Sequence, residues 1–184
     1  NLAENCWFLA NEDTKEAVVI DPGAEPDRIC ATAEKHGWKI TAILLTHGHI
    51  DHMGACESLR TELGVKVYAL TEEEDLLLDA KKNLSVFIER KVVTFEPDEL
   101  LRDGQELTLA GMKIQVIHTP GHTPGGCSYY VADAGCVFSG DTLFAESVGR
   151  SDFPGGSTSA LVRAVKEKLF LLPDDTLVCP GHGE

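Results

Sequence analysis

The sequence predicts an α/β fold in which two sheets pack face to face and helices cover their outer surfaces. Short apolar runs typical of strands alternate with amphipathic helical segments, and the elements divide into two similar halves, each with a sheet and helices. Motifs rich in histidine, aspartate and glycine follow the apolar runs directly. With 184 residues, 43% of them hydrophobic, the chain can bury one core, so we expect residues 1–184 to form a single domain.

The first half is predicted to begin with two paired strands, Cys6–Leu9 and Ala17–Ile20, joined by a polar turn. A helix follows over Pro26–His36 and ends at Gly37. The later elements are a strand, a helix, a strand and a helix, at Ile40–Leu45, His52–Leu63, Val65–Leu70 and Thr71–Leu78. The acidic run in the last helix suits a capping box, which predicts a structural role for it. Residues Asn83–Pro97 are predicted to form a loop and an edge strand beside the site.

The second half, which begins after Asp103-Gly104, is predicted to contain two hairpins, a helix and a last strand. The hairpins turn at glycines within short polar or small-residue segments, and the helix carries its apolar residues on one side. These elements are Glu106–Leu109 with Met112–His118, Ser128–Val131 with Cys136–Ser139, the helix Thr158–Leu171 and the strand Thr176–Cys179.

Composition excludes several classes of partner. The formal net charge of −14 argues against a nucleic-acid partner, which needs a basic surface. No apolar run approaches the roughly 20 residues of a membrane span, and the first residues lack the features of a signal peptide. The six cysteines form no CxxC pair and lie mostly in apolar stretches, which predicts reduced, buried thiols and a cytoplasmic protein.

The run Thr46–His52 carries the strongest chemical signal of the chain. It places three histidines and an aspartate directly after a strand, and imidazole and carboxylate are ordinary ligands of zinc and similar ions. His47 and His49 are two residues apart, so in an extended segment both side chains can point the same way. Asp51 and His52 must then turn towards a second point. Two adjacent metal ions can use all four side chains more easily than one tetrahedral site with an open position.

Three further motifs follow predicted strands in the same manner. They are His118–Gly125, Gly140–Thr142 and Pro180–Gly183, and each combines a histidine or aspartate with glycine. Glycine permits tight turns and close approach of the backbone to a ligand. Four such motifs at strand ends predict one composite metal site.

These four motifs together resemble the metallo-β-lactamase-fold hydrolases, in the order and spacing of that family and over nearly the whole chain. The resemblance implies an αββα four-layer sandwich with a dinuclear metal site at one edge of the sheets. It also implies a structural role beside the site for Asp21, and it does not include His118 among the ligands.

Carried over by position, the resemblance implies two neighbouring metal sites. One would be formed by His47, His49 and His122, the other by Asp51, His52 and His182, with Asp141 bridging them. Asp51 and His52 are also predicted to be catalytic, and His118 to line the substrate pocket. The expected cofactors are two divalent ions, with zinc the first candidate and iron or manganese the alternatives.

The segment after Asp141 distinguishes branches of the family. Asp141 stands where class B β-lactamases commonly have cysteine, and Gly149–Asp152 resembles the short, single-domain bacterial branch of the glyoxalase II group. This implies hydrolysis of a thioester such as S-lactoylglutathione to a hydroxy acid and a thiol. Arg150 has two interpretations: an ion pair with Asp152 that fixes the loop, or a contact to the substrate, which its planar fork would suit.

Full-length glyoxalase II has a C-terminal helical domain that supplies basic residues to glutathione, and this sequence contains no such segment. Either the substrate is held differently or it is not a glutathione thioester. The sequence has no initiator Met and ends two residues after His182, so we expect both termini to be trimmed.

Two other functions are considered. Persulfide dioxygenases have a similar Gly-Arg-Thr-Asp segment, and that resemblance implies one iron held by His47, His122 and Asp141. A non-catalytic metal-binding or regulatory domain would need a broken ligand set, whereas the set here is complete.

Overall fold

The computed structural model describes residues 3–184. The first half forms a five-stranded sheet in which β1 and β2 are antiparallel and each later neighbour is parallel to the one before. Its strands are β1 (Trp7–Asn11), β2 (Glu16–Ile20), β3 (Lys39–Leu44), β4 (Lys66–Leu70) and β5 (Glu99–Leu101). The carboxyl ends of β2, β3 and β4 therefore meet at one edge of this sheet.

The second half forms a second five-stranded sheet, in the order β12-β9-β8-β7-β6, and a two-stranded ribbon. Its strands are β6 (Glu106–Leu109), β7 (Met112–His118), β8 (Cys127–Val131) and β9 (Cys136–Gly140), then the ribbon β10 (Leu143–Phe144) and β11 (Ser147–Val148), and finally β12 (Leu177–Pro180). Strand β12 runs parallel to β9, and β7 has the same direction because β8 is antiparallel to both β7 and β9. The strands β7, β9 and β12 thus end at one edge.

The described residues form six helices, which cover the outer faces of the two sheets. They are α1 (Pro26–His36), α2 (Ile50–Met53), α3 (Cys56–Leu63), α4 (Glu74–Leu77), α5 (Ser85–Ile88) and α6 (Thr158–Glu167), with 3-10 turns at Thr71–Glu73, Ala132–Ala134 and Leu169–Leu171. Helix α1 has proline in its first turn and ends at Gly37, whose φ of 70° is accessible to glycine at little cost. The side chain of Ser157 caps α6 by accepting the N–H of Ala160. No helix of the described residues is long and apolar enough to cross a membrane.

Three hydrophobic clusters separate the four layers and confirm the predicted sandwich. Strand β3 contributes to two of these clusters. Leu44 packs between the sheets, whereas its neighbour Ile43 packs under the outer helices. The cluster between the sheets joins Leu44 to Tyr129 and Phe138 of the second sheet. The third cluster packs Val137 against α6. Burial on both faces explains why these strands are continuously apolar.

The helix predicted over His52–Leu63 is two helices, α2 and α3, interrupted at Gly54 and Ala55. The interruption has a tertiary cause. Ala55 N–H donates to the carbonyl of Pro22, and a Cβ atom at Gly54 would collide with the carbonyl of Gly23. The turn that follows β2 therefore contacts the chain between the two helices and fixes the direction of α2.

Two other predictions need correction. The edge strand placed within Asn83–Pro97 lies later, at β5, and the earlier part of that stretch forms α5. The capping box predicted at Thr71 does not form, because its hydroxyl donates to the carbonyl of Leu101 and the N–H of Glu74 donates to the carbonyl of Thr71 and not to its side chain. The six cysteines are free, and four of them are buried.

Candidate metal centre

The candidate centre lies where the two sheets meet at the carboxyl ends of their strands. The loop after β3 carries three histidines and Asp51, the loop after β7 carries His122, and the turns after β9 and β12 carry Asp141 and His182. Backbone hydrogen bonds tie these loops together, since Cys127 N–H donates to the carbonyl of Thr46 and Gly181 N–H to that of Gly140. The fold brings all seven predicted ligand residues to one place.

His47, His49 and His122 form the first cluster, in which one nitrogen of each ring lies within 4.8 Å of the others. All three are buried. The Nδ1 atom of His49 lies 3.0 Å from Nε2 of His122. The Nε2 atom of His47 is buried and has no hydrogen-bond partner among the described residues. A buried nitrogen without a partner is costly unless something else occupies the site, and a cation suits converging imidazole lone pairs.

Neighbouring groups determine which nitrogen of His122 is free. Its Nδ1 lies 2.7 Å from the carbonyl oxygen of Arg150. A carbonyl oxygen only accepts hydrogen bonds, so Nδ1 carries the proton and Nε2 presents its lone pair to the cluster. The backbone of the loop that contains Arg150 thus orients a candidate ligand.

Asp51, His52 and His182 form the second cluster. The Nε2 atom of His182 lies 3.3 Å from Oδ2 of Asp51 and 3.3 Å from Nε2 of His52. His52 is fully buried, whereas Asp51 and His182 are partly exposed. The second cluster therefore opens to solvent on one side.

Asp141 lies between the two clusters and reaches both. Its Oδ2 atom is 3.4 Å from Nε2 of His122, and its Oδ1 atom is 3.4 Å from Nε2 of His52. Oδ1 is buried and has no hydrogen-bond partner among residues 3–184. The close approach of the β12 turn requires Gly181, because a Cβ atom there would collide with the Asp141 carboxylate. Two clusters that share one carboxylate fit a pair of adjacent divalent cations.

Asp21, His47 and His52 also lie close enough to form a third grouping. The oxygens of Asp21 are already used, because they accept the backbone N–H and the hydroxyl of Thr46 and lie 2.9 Å from Nδ1 of His52. Asp21 therefore orients two parts of the ligand loop instead of offering a free oxygen, which matches the structural role implied for it.

Burial and charge give the two clusters different protonation. Burial, with the neighbouring imidazoles, lowers the pKa of His47 well below its usual value and that of His49 to about 3, and burial also lowers the pKa of His122. These rings are neutral, which is the form that binds metals. Burial opposes the charged form of His52 too, but Asp21 and the other nearby carboxylates outweigh it and raise its pKa to about 10.

Arg150 and His118 lie outside both clusters. The exposed guanidinium of Arg150 makes a two-point ion pair with Asp152, at 2.9 and 2.8 Å, and lies 4.5 Å from the centre of the Phe153 ring. The Nε2 atom of His118 is 2.8 Å from the carbonyl oxygen of Pro124. Of the two interpretations of Arg150, the one in which it fixes the loop predicts this ion pair with Asp152.

Two residues of the centre were missed by the sequence analysis. Phe153 packs its ring against His49 and His122, with ring centres 5.2 and 5.8 Å away. Glu73, assigned above to helix capping, is buried and accepts the backbone N–H groups of Gly48 and Gly125. The run of four acids from Glu72 to Asp75 gives no local signal that Glu73 turns inward.

Comparisons with known proteins agree with this geometry. Residues 1–182 match the model of the metallo-beta-lactamase superfamily. The chain is 40% identical over 180 residues to the "Probable metallo-hydrolase YqgX" of Bacillus subtilis, which covers 97% of this chain and 84% of that protein. It is 35% identical over 182 residues to the hydroxyacylglutathione hydrolase GloC of Haemophilus influenzae, which covers 98% of this chain and 85% of that protein.

Three solved structures are similar over the whole of this chain. The BLEG-1 B3 metallo-beta-lactamase has a TM-score of 0.93 and 38% identity over 88% of its own chain. The di-iron-bound form of TTHA1623 has a TM-score of 0.87 and 36% identity over 89% of its chain. ETHE1 from Myxococcus xanthus has a TM-score of 0.79 and 32% identity over 72% of its chain. The chain therefore belongs to the metallo-beta-lactamase superfamily.

Proposed function

We propose that this protein is a metal-dependent hydrolase of glyoxalase II type, which cleaves a thioester such as S-lactoylglutathione into a hydroxy acid and a thiol. One observation carries the proposal: two neighbouring clusters of histidine and aspartate share Asp141, whose oxygens lie 3.4 Å from His122 on one side and 3.4 Å from His52 on the other. The similarity to the hydroxyacylglutathione hydrolase GloC supports the choice of substrate class.

In this proposal the seven residues hold two divalent ions. His47, His49 and His122 would hold one of them, and Asp51, His52 and His182 would hold the other. Asp141, which lies between the two clusters, would be a ligand common to both. Zinc is the first candidate, and iron and manganese suit the same donors.

When bound, the two ions would supply Lewis-acid chemistry, since they would lower the pKa of a bound water and polarise the thioester carbonyl. The chain's own residues position these parts. The Arg150 carbonyl keeps the proton of His122 on Nδ1, and Asp21 accepts the Nδ1 proton of His52. His52 would bind an ion through Nε2 after release of its second proton. Asp51 is partly exposed and its pKa is about 2, held low by the hydrogen bond with His182 against the effect of burial, so its carboxylate can accept a hydrogen bond from the attacking water.

No cysteine or serine nucleophile is needed. Cys127, five residues after His122, is buried, and its Sγ atom lies 3.6 Å from the carbonyl of Leu45. Burial raises the pKa of this thiol, so it is not a nucleophilic thiolate.

We further propose that Arg150 contacts the substrate. Its guanidinium is exposed beside Phe153, which borders the first cluster, and it suits a carboxylate of the substrate. His118 remains a proposed pocket residue whose ring is held by the loop carbonyl of Pro124. The free cysteines favour a cytoplasmic location, which is likewise proposed.

Persulfide dioxygenase activity is the second candidate. The similarity to ETHE1 and the Gly149–Asp152 segment favour it. In that case one iron would be held by His47, His122 and Asp141, and here His122 adjoins both of the other two.

The proposal is tested by three assays on one metal-reconstituted preparation. We expect thiol release from S-lactoylglutathione or another simple thioester, without uptake of oxygen. Oxygen uptake with a glutathione persulfide, and no thioester cleavage, would favour the second candidate. Hydrolysis of a β-lactam alone would reject both, and the similarity to BLEG-1 makes that assay a necessary comparison.

A further inference from the structure

Glu73 is a buried carboxylate that no metal-ligand motif includes. It ends the 3-10 turn after β4, and its exposed fraction is 1%. Its Oε1 atom accepts the N–H of Gly48 at 2.8 Å, and its Oε2 atom accepts the N–H of Gly125 at 2.8 Å. No ion pair within 4.0 Å joins Glu73 to a lysine, arginine or histidine among the described residues.

The two glycines belong to the two loops that build the first cluster. Gly48 lies between His47 and His49, and Gly125 lies three residues after His122. The first loop follows a strand of one sheet and the second follows a strand of the other. One side chain therefore fixes both loops relative to each other, and it does so with one oxygen for each.

The two glycines pack closely against the turn that carries Glu73 and against the helix that follows it. A Cβ atom at Gly125 would collide with the backbone of Glu73. A Cβ atom at Gly48 would come within 2.9 Å of the Leu76 side chain, in the helix that follows Glu73. The loops pack directly against the turn that carries the carboxylate.

We propose that Glu73 is a positioning residue for the metal ion held by His47, His49 and His122, an inference that rests on the ligand assignment of the proposed function. Hydrogen bonds to a charged acceptor are roughly twice as strong as neutral ones. The carboxylate therefore holds in place the two loops that carry the three imidazoles. A buried negative charge without a cationic side chain is also costly, and a nearby divalent ion offsets that cost.

The second cluster is positioned by different contacts. His52 is oriented by Asp21, and neither Asp51 nor His182 is hydrogen bonded to Glu73. A change at Glu73 should therefore weaken the binding of one of the two metal ions and leave that of the other unchanged. A residue that only supported the fold would lower thermal stability and leave metal binding at both sites unchanged.

The test is a titration of the metal-free protein with Co²⁺ against a competing chelator, followed by the visible absorption of the bound ion. Glu73→Gln keeps the shape and one acceptor oxygen but places an NH₂ group, which cannot accept, against the other N–H. We expect one Co²⁺ equivalent to bind about 10- to 100-fold more weakly and the other to be unchanged. Glu72→Gln removes the same charge from the exposed neighbour and should behave like the wild type.

Wild-type affinity for both equivalents in Glu73→Gln would overturn the inference, whatever its melting temperature, and so would equal weakening of both. If Glu73→Gln does not fold, Glu73→Asp keeps the charge with a shorter reach and must show the same selective weakening. The readout needs no substrate, so a protein that binds Co²⁺ in this pattern and cleaves no thioester would reject the proposed activity and leave this inference standing.

Discussion

His52 is tied to Asp21 by a contact of 2.9 Å between Nδ1 and Oδ2, and both side chains are buried. Asp21 follows β2 directly with a left-handed φ of 51°, and it also accepts the backbone N–H of Thr46 at 2.7 Å. A residue at the end of one strand thus fixes the ligand loop at the end of the next. Such supporting contacts orient metal ligands and tune their affinity.

Asp21→Asn is expected to weaken metal binding at the cluster of Asp51, His52 and His182 by about 10- to 100-fold, because the amide lacks the charge and one acceptor oxygen. Chelator competition on the metal-free protein measures this. Asp27→Asn, in the exposed first turn of α1, is the matched control. Unchanged affinity in Asp21→Asn would show that the contact with His52 does not support the site.

His49→Ala and Asp141→Ala are each expected to abolish thioester turnover while the fold persists, since both residues lie in loops beyond strand ends. Turnover per chain tests whether activity is lost, and the circular dichroism spectrum of each variant tests whether the fold persists. If either variant retained more than a few per cent of wild-type turnover, its assignment as a ligand would be wrong.

Arg150→Ala is expected to raise KM about tenfold with little change in kcat, because it removes a contact made equally in the bound substrate and in the transition state. The side chain is exposed, so its removal leaves the centre intact. An unchanged KM together with a lower melting temperature would instead show that the pair of Arg150 and Asp152 serves only to fix the loop.

Glu73 also predicts a pH dependence of stability in the metal-free protein. Burial raises its pKa from 4.5 to about 7, against the effect of its backbone hydrogen bonds. Between these two values the folded state binds more protons than the unfolded state, so this residue's contribution to stability is present at low pH and is lost as pH rises through 7. The loss is about 3 kcal/mol at 1.36 kcal/mol per pKa unit.

Denaturant unfolding at pH 4 and pH 8 tests that prediction when wild type and Glu73→Gln are compared. The variant cannot ionise at this position, so it should gain stability relative to the wild type as pH rises. A difference between the two proteins that is the same at both pH values would mean that Glu73 keeps an ordinary pKa.

The elements that the sequence predicts well are those whose signals are local. Helix α1 begins at a proline and ends before a glycine, and the hairpin of β6 and β7 alternates around Ala110-Gly111, so their predicted bounds match the structure. The break at Gly54 depends on a contact with the turn after β2, which is remote in the sequence. No local pattern contains that information.

The same distinction applies to the candidate site. The histidine motifs are contiguous and follow apolar strands, so their convergence could be expected from the parallel direction of β7, β9 and β12. Glu73 reaches the site only because β4 ends at the same edge as β3 and places its turn against Gly125. Residues that support ligands from another element need the tertiary structure to be found.

The measurement that tests the central claim most directly is the metal content per chain by elemental analysis, on protein purified without added metal, with S-lactoylglutathione hydrolysis assayed on the same sample. The account predicts about two ions per chain, as two adjacent clusters require, together with thioester turnover. One iron per chain with no turnover would contradict it and favour a persulfide dioxygenase.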